Sequence, residues 1–182
     1  SDLDKHHRPR KIFRHKLGTS TKDDQLIYEE KSEAFTCGIS LSSDEKYYII
    51  STSDHSTSEQ YYFAINEKNP KPKLIKKRKR GVIYSVNSWD NKFYLHTNEE
   101  AEDFKIDFCE DLEKQIWKPF IAAKDEVLIG SLFFLKNWII RFEISNALGK
   151  LIIRNPKTDE EKELKFVDEK VIVPNVSFKQ RE

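Results

Sequence analysis

A serine nucleophile of the hydrolase type sits on a Gly-x-Ser-x-Gly elbow between a strand and a helix. The nearest approach in this chain is Gly38-Ile39-Ser40-Leu41-Ser42. Ser42 stands where the second glycine is needed, and the pentapeptide lies inside an alternating strand pattern, so Ser40 is not expected to be catalytic. The five histidines, His6, His7, His15, His55 and His96, have no Ser or Cys partner in any recognisable triad context. No phosphate-binding loop, dinucleotide fingerprint or His-Glu-x-x-His motif occurs. Cys37 and Cys109 are far apart, and neither belongs to a Cys-x-x-Cys pair. They read as two buried thiols in a reducing compartment, and no His or Cys spacing suits zinc. No catalytic residue, metal or cofactor is therefore expected.

Charge is more informative than any nucleophile. The chain carries 32 Lys and Arg against 31 Asp and Glu, a net +1. That gives no overall field for steering onto nucleic acid, which is not an expected partner. Lys76–Arg80 is a run of five cations. It could be a nucleic-acid or import patch, but the plainer reading is a solvated outer strand whose charges block edge pairing. The acids gather elsewhere. Glu29, Glu30, Glu59, Glu99, Glu100, Glu102 and Asp103, with six further carboxylates, fall in connecting segments that contain only five bases, a local balance of −8. If those segments share one face, the face would attract basic ligands or dock a partner; otherwise it is ordinary solubilising charge.

What would bring those segments together is a repeat. Phe35–Ser42, Lys46–Ser53, Tyr61–Asn66 and Lys73–Lys79 are short alternating runs separated by turn residues. The pattern recurs as Val82–Trp89, Lys92–Asn98, Phe104–Cys109 and Lys118–Ala123, and again as Leu128–Leu135, Trp138–Ser145, Lys150–Asn155 and Lys162–Val167. The aromatic openers of the second runs, Tyr47, Phe93 and Trp138, are 46 and 45 positions apart. The lysines opening the fourth runs, Lys73, Lys118 and Lys162, are 45 and 44 apart. A period in the forties with four strands per unit is the mark of β-propeller blades. Loops between the second and third strands then share a face with the crossovers between blades, and the acids above lie on both.

The expected fold is therefore all-β: antiparallel four-stranded blades in a partial propeller over residues 8–178. Its units run over about 35–79, 82–123 and 128–167. Leftover strands fall at 11–17, 25–30 and 171–178, and 1–7 and 179–182 form loose ends. The 22 aromatics suit packed sheet faces. Alternation predicts Ile39, Leu41, Tyr84, Val86, Phe93 and Leu95 in the core, with one of each neighbouring pair in Tyr47–Ile50 and in Ile139–Ile140. Glu110–Trp117 could form a short helix, since Leu112 and Ile116 stand four apart. No apolar run is long enough to span a membrane, and no signal-peptide pattern is present. With no Met and a start at Ser1, the chain reads as a fragment or a processed form. Uncovered blade faces at either end predict self-association.

Five stretches carry a family resemblance: Arg8–Gly18 (RPRKIFRHKLG), Asp24–Phe35 (DQLIYEEKSEAF), Ser56–Phe63 (STSEQYYF), Arg80–Val86 (RGVIYSV) and Lys92–Asn98 (KFYLHTN). In order and spacing they resemble the propeller of oligopeptidase B-type (protease II) members of the prolyl oligopeptidase family of serine peptidases. The likeness runs from about Arg8 to Phe178 and is looser in the third unit. It implies a seven-bladed propeller that caps a catalytic α/β-hydrolase domain and restricts entry to short peptides, cut after Lys or Arg in a cytoplasmic enzyme. The family's Ser, Asp and His lie in the hydrolase domain, and no position here matches them. The resemblance turns Glu29 and Glu30 toward the domain interface. By itself the chain is expected to gate and dock rather than cleave. The rival reading is a free-standing propeller-type interaction module.

Overall fold

Side chains that alternate across a strand need partners on both edges and a neighbour on each apolar face. The computed structural model describes residues 7–164 and meets both needs with antiparallel sheets. Strands β1 (Lys11–Arg14) and β2 (Gln25–Glu29) form a two-stranded sheet. A single 3-10 turn, Thr21–Asp23, lies between them, capped by the Ser20 side chain. Blade 1 is β3 (Thr36–Leu41), β4 (Tyr47–Ser53), β5 (Ser58–Ala64) and β6 (Lys73–Lys76). Blade 2 is β7 (Tyr84–Trp89), β8 (Lys92–Thr97), β9 (Lys105–Cys109) and β10 (Lys118–Ile121). Blade 3 is β11 (Val127–Leu135), β12 (Trp138–Ser145), β13 (Leu148–Arg154) and β14 (Glu161–Glu163). Within each blade the strands pair in chain order. The hairpin turns use positive φ where two residues must reverse the chain, at Asp90–Asn91 and Asn146–Ala147. Among the described residues no helix is long and apolar enough to cross a membrane.

The core lies between blades. Ile49, Tyr62 and Ile75 of blade 1 meet Tyr84, Val86, Phe93 and Leu95 of blade 2, with Leu112 closing the outer side. The opposite face of blade 2, through Trp89, Tyr94, Ile106 and Ile121, meets Ile129, Phe134 and Ile139 of blade 3. Trp89 stacks on Phe134 with ring centroids 5.6 Å apart. Blade 2 is therefore covered on both faces. At the hairpin ends, Asp44 accepts a hydrogen bond from the Ser88 hydroxyl at 2.8 Å, and Asn87 binds Ser43.

Three expectations need correction. Ile39 and Leu41 are not core: they are 44% and 42% exposed. They pair with Ile50 and Tyr48, on the face of blade 1 opposite to the one that meets blade 2. On that face Ile50 is buried and Tyr28 of β2 packs on Tyr61 of β5, yet the Ile39 and Leu41 side chains stay open. In Tyr47–Ile50 and in Ile139–Ile140 the choice within pairs disappears, because Ile49, Ile50, Ile139 and Ile140 are all buried. Second, Glu110–Trp117 makes no helix. One turn forms, with Gln115 N–H donating to the Asp111 carbonyl at 3.0 Å, and Gln115 then takes positive φ. Leu112 is buried while Ile116 is exposed, so no stripe exists to repay helix nucleation. Third, only Lys76 of the basic run belongs to an outer strand; residues 77–80 lie in the crossover to blade 2. Phe166, Val167 and the strand expected at 171–178 fall outside the described residues.

Candidate functional site: an acidic rim around a half-buried arginine

The loops expected to share a face do come to one end of the blades. Gly81 N–H donates to the Thr57 hydroxyl at 3.2 Å, and Ser58 N–H donates to the Val82 carbonyl at 3.1 Å. These bonds fix the blade 1–2 crossover onto the β4–β5 loop. Ile83 N–H donates to the Asn98 side chain at 2.7 Å, which brings in the β8–β9 loop. Ile129 N–H donates to the Asp103 carbonyl at 2.9 Å, tying that loop to blade 3. The connector 30–35 joins through Glu30, as described next.

The rim acids divide into two populations. Glu29 is exposed at the end of β2 and makes a surface pair with Lys11 at 3.6 Å. Glu30 and Glu59 are buried, their side chains only 4% and 6% exposed, and both bind Arg78. Glu59 is not a loop residue as expected but the second residue of β5. The Arg78 Nη2 group lies 2.7 Å from a carboxylate oxygen of each glutamate. Its Nε donates to Glu59 at 2.9 Å, and its backbone N–H donates to the other Glu59 oxygen at 2.9 Å. The guanidinium carbon stands 4.0 Å above the centre of the Phe35 ring. Tyr61 donates to Glu59 at 2.8 Å and Tyr28 donates to Glu30 at 3.2 Å, with the two tyrosine rings 4.8 Å apart. Ser32 N–H completes the set on Glu30 at 2.8 Å.

Burial alone would push the Glu59 carboxyl up. Hydrogen bonds from Arg78 and Tyr61 outweigh it and hold the group below the usual carboxylate range. Burial likewise favours a neutral Arg78, but its bonds to Glu59 and Glu30 keep it charged. The Tyr28 hydroxyl is pushed far up by burial, by its bond with Tyr61 and by the charge of Glu30, so it stays protonated and can donate. The cluster binds a cation firmly and offers no group poised for proton transfer.

The remaining candidates lie further round. Glu99 is paired with Lys76 and, at 3.6 Å, with Lys79; the Lys76 bond holds its carboxyl low. Asp103 is half-buried. Glu100 and Glu102 are exposed and have no ion-pair partner among the described residues. His96 donates its Nε2–H to the Ile129 carbonyl at 2.7 Å and stacks on Phe104, a packing role between blades. Ser40 lies within β3 opposite Ile49, on no turn. Among the described residues no group of three His, Cys, Asp or Glu side chains is placed to hold a metal.

Three stacked four-stranded blades with this loop arrangement match a known domain: residues 1–180 fit the N-terminal β-propeller domain of prolyl oligopeptidase. The chain belongs to the prolyl oligopeptidase family. Protease 2 of Moraxella lacunata is 34% identical over 107 residues, covering 59% of this chain and 16% of that protein. Dipeptidyl aminopeptidase BI of Pseudoxanthomonas mexicana is 27% identical over 145 residues, 78% of this chain and 20% of that protein. Among solved structures, oligopeptidase B from Trypanosoma brucei, closed with covalently bound antipain, superposes with a TM-score of 0.84 at 21% identity. Oligopeptidase B from Leishmania major gives 0.83 at 17% identity. Each superposition covers 92% of this chain and 25% of the other, and at such identities it shows the fold. The chain thus spans between about a sixth and a quarter of the length of these relatives.

In this prolyl oligopeptidase propeller, sequence reasoning missed two functional-looking residues. Arg78 was hidden in a run of cations that reads as solvated. Arg141 sits in the middle of β12, 4% exposed, with Nε on Glu143 at 2.7 Å and both Nη groups on Glu161 at 2.6 and 2.7 Å. A charged residue inside an otherwise apolar strand, two positions before a glutamate, is the signal that could have found it.

Proposed function

We propose that this chain is the propeller portion of an oligopeptidase B-like serine peptidase, gating entry of short basic-residue peptides and docking the catalytic α/β-hydrolase domain. Bond cleavage belongs to that second domain. The observation that carries the reading is the rim: crossovers and strand 2–3 loops converge at one end and present Glu100 and Glu102 without cationic partners among the described residues. A carboxylate rim on a rigid blade scaffold concentrates cationic peptides and repels acidic ones. Two buried free thiols, Cys37 and Cys109, each pushed up to about 11 mainly by burial, support placement in the cytoplasm.

The test is binding and turnover on the purified chain. Short Arg- or Lys-containing peptides should bind in a salt-sensitive way, more weakly to the E100Q/E102Q variant, and acidic peptides should not bind. Arg-ester hydrolysis should match the blank. Equal binding of acidic and basic peptides, or turnover that titrates with a serine-directed inhibitor, would overturn the reading.

A further inference from the structure

We propose that Glu30, Glu59 and the Phe35 ring form a guanidinium-binding site, filled here by Arg78 of the same chain and open to an arginine side chain from elsewhere when Arg78 leaves. The walls and the occupant come from different parts of the fold. Glu59 sits on β5, a central strand of blade 1, and Thr52, whose hydroxyl lies 3.5 Å from the Arg78 Nη2, sits on β4. Phe35 and Glu30 flank the connector into β3, where Ser32 N–H and Tyr28 fix the Glu30 carboxylate. Arg78 arrives from the crossover that follows β6. The residues around it, Lys77, Lys79, Arg80 and Gly81, are all exposed, and Gly81 takes φ +79°. Glu59 and Thr52 are thus held on strands and Glu30 and Phe35 at the two ends of the 30–35 connector, while the occupant comes from a separate connection.

The chemistry selects a guanidinium over other cations. Two buried carboxylates face one cation, so removing Arg78 leaves two charges with poor solvation and a strong demand for a replacement. The replacement must fit a slot with a ring face 4.0 Å away on one side and carboxylate oxygens in its plane. A planar, weakly hydrated guanidinium meets both conditions; an ammonium ion gains neither the stacking nor the in-plane fork. Tyr61 donates to Glu59 and Tyr28 donates to Glu30, bonds that do not pass through the cation. The proposal rests on this chain's own geometry and stands or falls apart from the peptidase reading.

The experiment is chemical rescue of the full chain carrying Arg78→Ala. Its melting temperature should fall, and millimolar guanidinium chloride should restore part of the loss with a saturable dose response. Potassium chloride and ammonium chloride at equal ionic strength should not. Arginine amide should bind R78A at least about tenfold more tightly than it binds the wild type, whose site is filled. The double variant R78A/E59Q should lose the rescue. A response to potassium equal to that to guanidinium would reduce the effect to screening and overturn the proposal. So would rescue of R78A/E59Q as strong as that of R78A, which would put the cation elsewhere. If R78A does not fold in plain buffer, it should become soluble and folded on refolding with millimolar guanidinium. Failure to fold in every salt would also overturn the site.

Discussion

Removing one oxygen atom from Tyr84 should loosen the joint between blades 1 and 2. Tyr84 opens β7 and is 3% exposed. Its hydroxyl accepts a hydrogen bond from Gln60 N–H at 2.8 Å and donates to the Lys76 carbonyl. Gln60 and Lys76 face each other across the β5–β6 pair at the point where its register shifts. The hydroxyl of blade 2 thus mends a break in the ladder of blade 1. Tyr84→Phe keeps the ring and deletes both bonds, leaving the buried Gln60 N–H and the half-buried Lys76 carbonyl without this partner. A fully buried unpaired group costs about 1–3 kcal/mol and a half-buried one sits at the low end, so a loss of about 2–4 kcal/mol is expected. For a chain of this size each kcal/mol moves the melting temperature by about 2–4 °C, so the drop should be roughly 5–15 °C. Tyr94→Phe is the control. Tyr94 is as deeply buried, with its hydroxyl pushed up to about 12 by burial, but its contacts are ring to ring with Phe120 and Phe134. Its loss should stay under about 1 kcal/mol. Thermal melts followed by circular dichroism measure both, and amide exchange should show faster exchange at Gln60 in Y84F. A Y84F melt indistinguishable from the wild type, with Gln60 still protected, would refute the idea that this hydroxyl completes the ladder.

Three more outcomes are expected. Arg141→Ala leaves Glu143 buried beside Lys124 alone and Glu161 with Arg154 alone, so stability should fall by about 3 kcal/mol or more in a urea titration; a change within error would mean the cluster contributes nothing. Glu59, Glu143 and Glu161 all have folded carboxyl groups held below the unfolded value near 4.5, Glu59 and Glu143 despite the upward push of burial. Because the folded state binds these protons less readily, the stability they add is present above that value and drains away as pH falls through their lower folded values. Melting temperature should therefore drop steeply below about pH 4.5, and less steeply in E59Q; parallel curves for E59Q and wild type would contradict the assignment. Light scattering at micromolar concentration should show a dimer or larger species, since Ile39 and Leu41 are half-exposed on the outer face of blade 1; a monomeric mass at every concentration would count against it.

How far the fold could be read depended on how local its causes are. The spacing of Tyr47, Phe93 and Trp138 gave away the blades because each marks the second strand of a unit, and strand alternation is a local property. The start of β5 was misplaced for the opposite reason. Ser58, Glu59 and Gln60 look like loop residues, yet all three are buried. Ser58 donates to the Tyr84 carbonyl at 2.8 Å and accepts from Tyr84 N–H at 2.6 Å, while Gln60 accepts from Val86 N–H at 2.6 Å. Ser58 and Gln60 become interior because blade 2 supplies their partners, 26 positions away, and Glu59 because Arg78 does, 19 positions away. Ile39 and Leu41 fail in the same way with the sign reversed. Their apolar alternation is sound, but burial depends on what stands across the outer face of blade 1, and no pattern within β3 encodes that.

The site shows the limit of counting charges along a chain. A balance of −8 over the connecting segments treats each carboxylate as free. In the fold, Arg78 cancels part of Glu30 and Glu59 from 48 and 19 positions away, and Lys76 and Lys79 do the same for Glu99. None of these cations looks different from its neighbours in Lys76–Arg80. What singles out Arg78 is a planar guanidinium meeting two fixed carboxylates and an aromatic face, a coincidence of three segments. The acids that still project a field are those left over, Glu100 and Glu102 above all. The two groups should then part under salt. Buried pairs are screened little, whereas the field of exposed carboxylates fades beyond about 8 Å at physiological ionic strength. Raising salt should therefore erase the attraction of cationic peptides to the rim while leaving the melting temperature set by Arg78 and its two glutamates nearly unchanged.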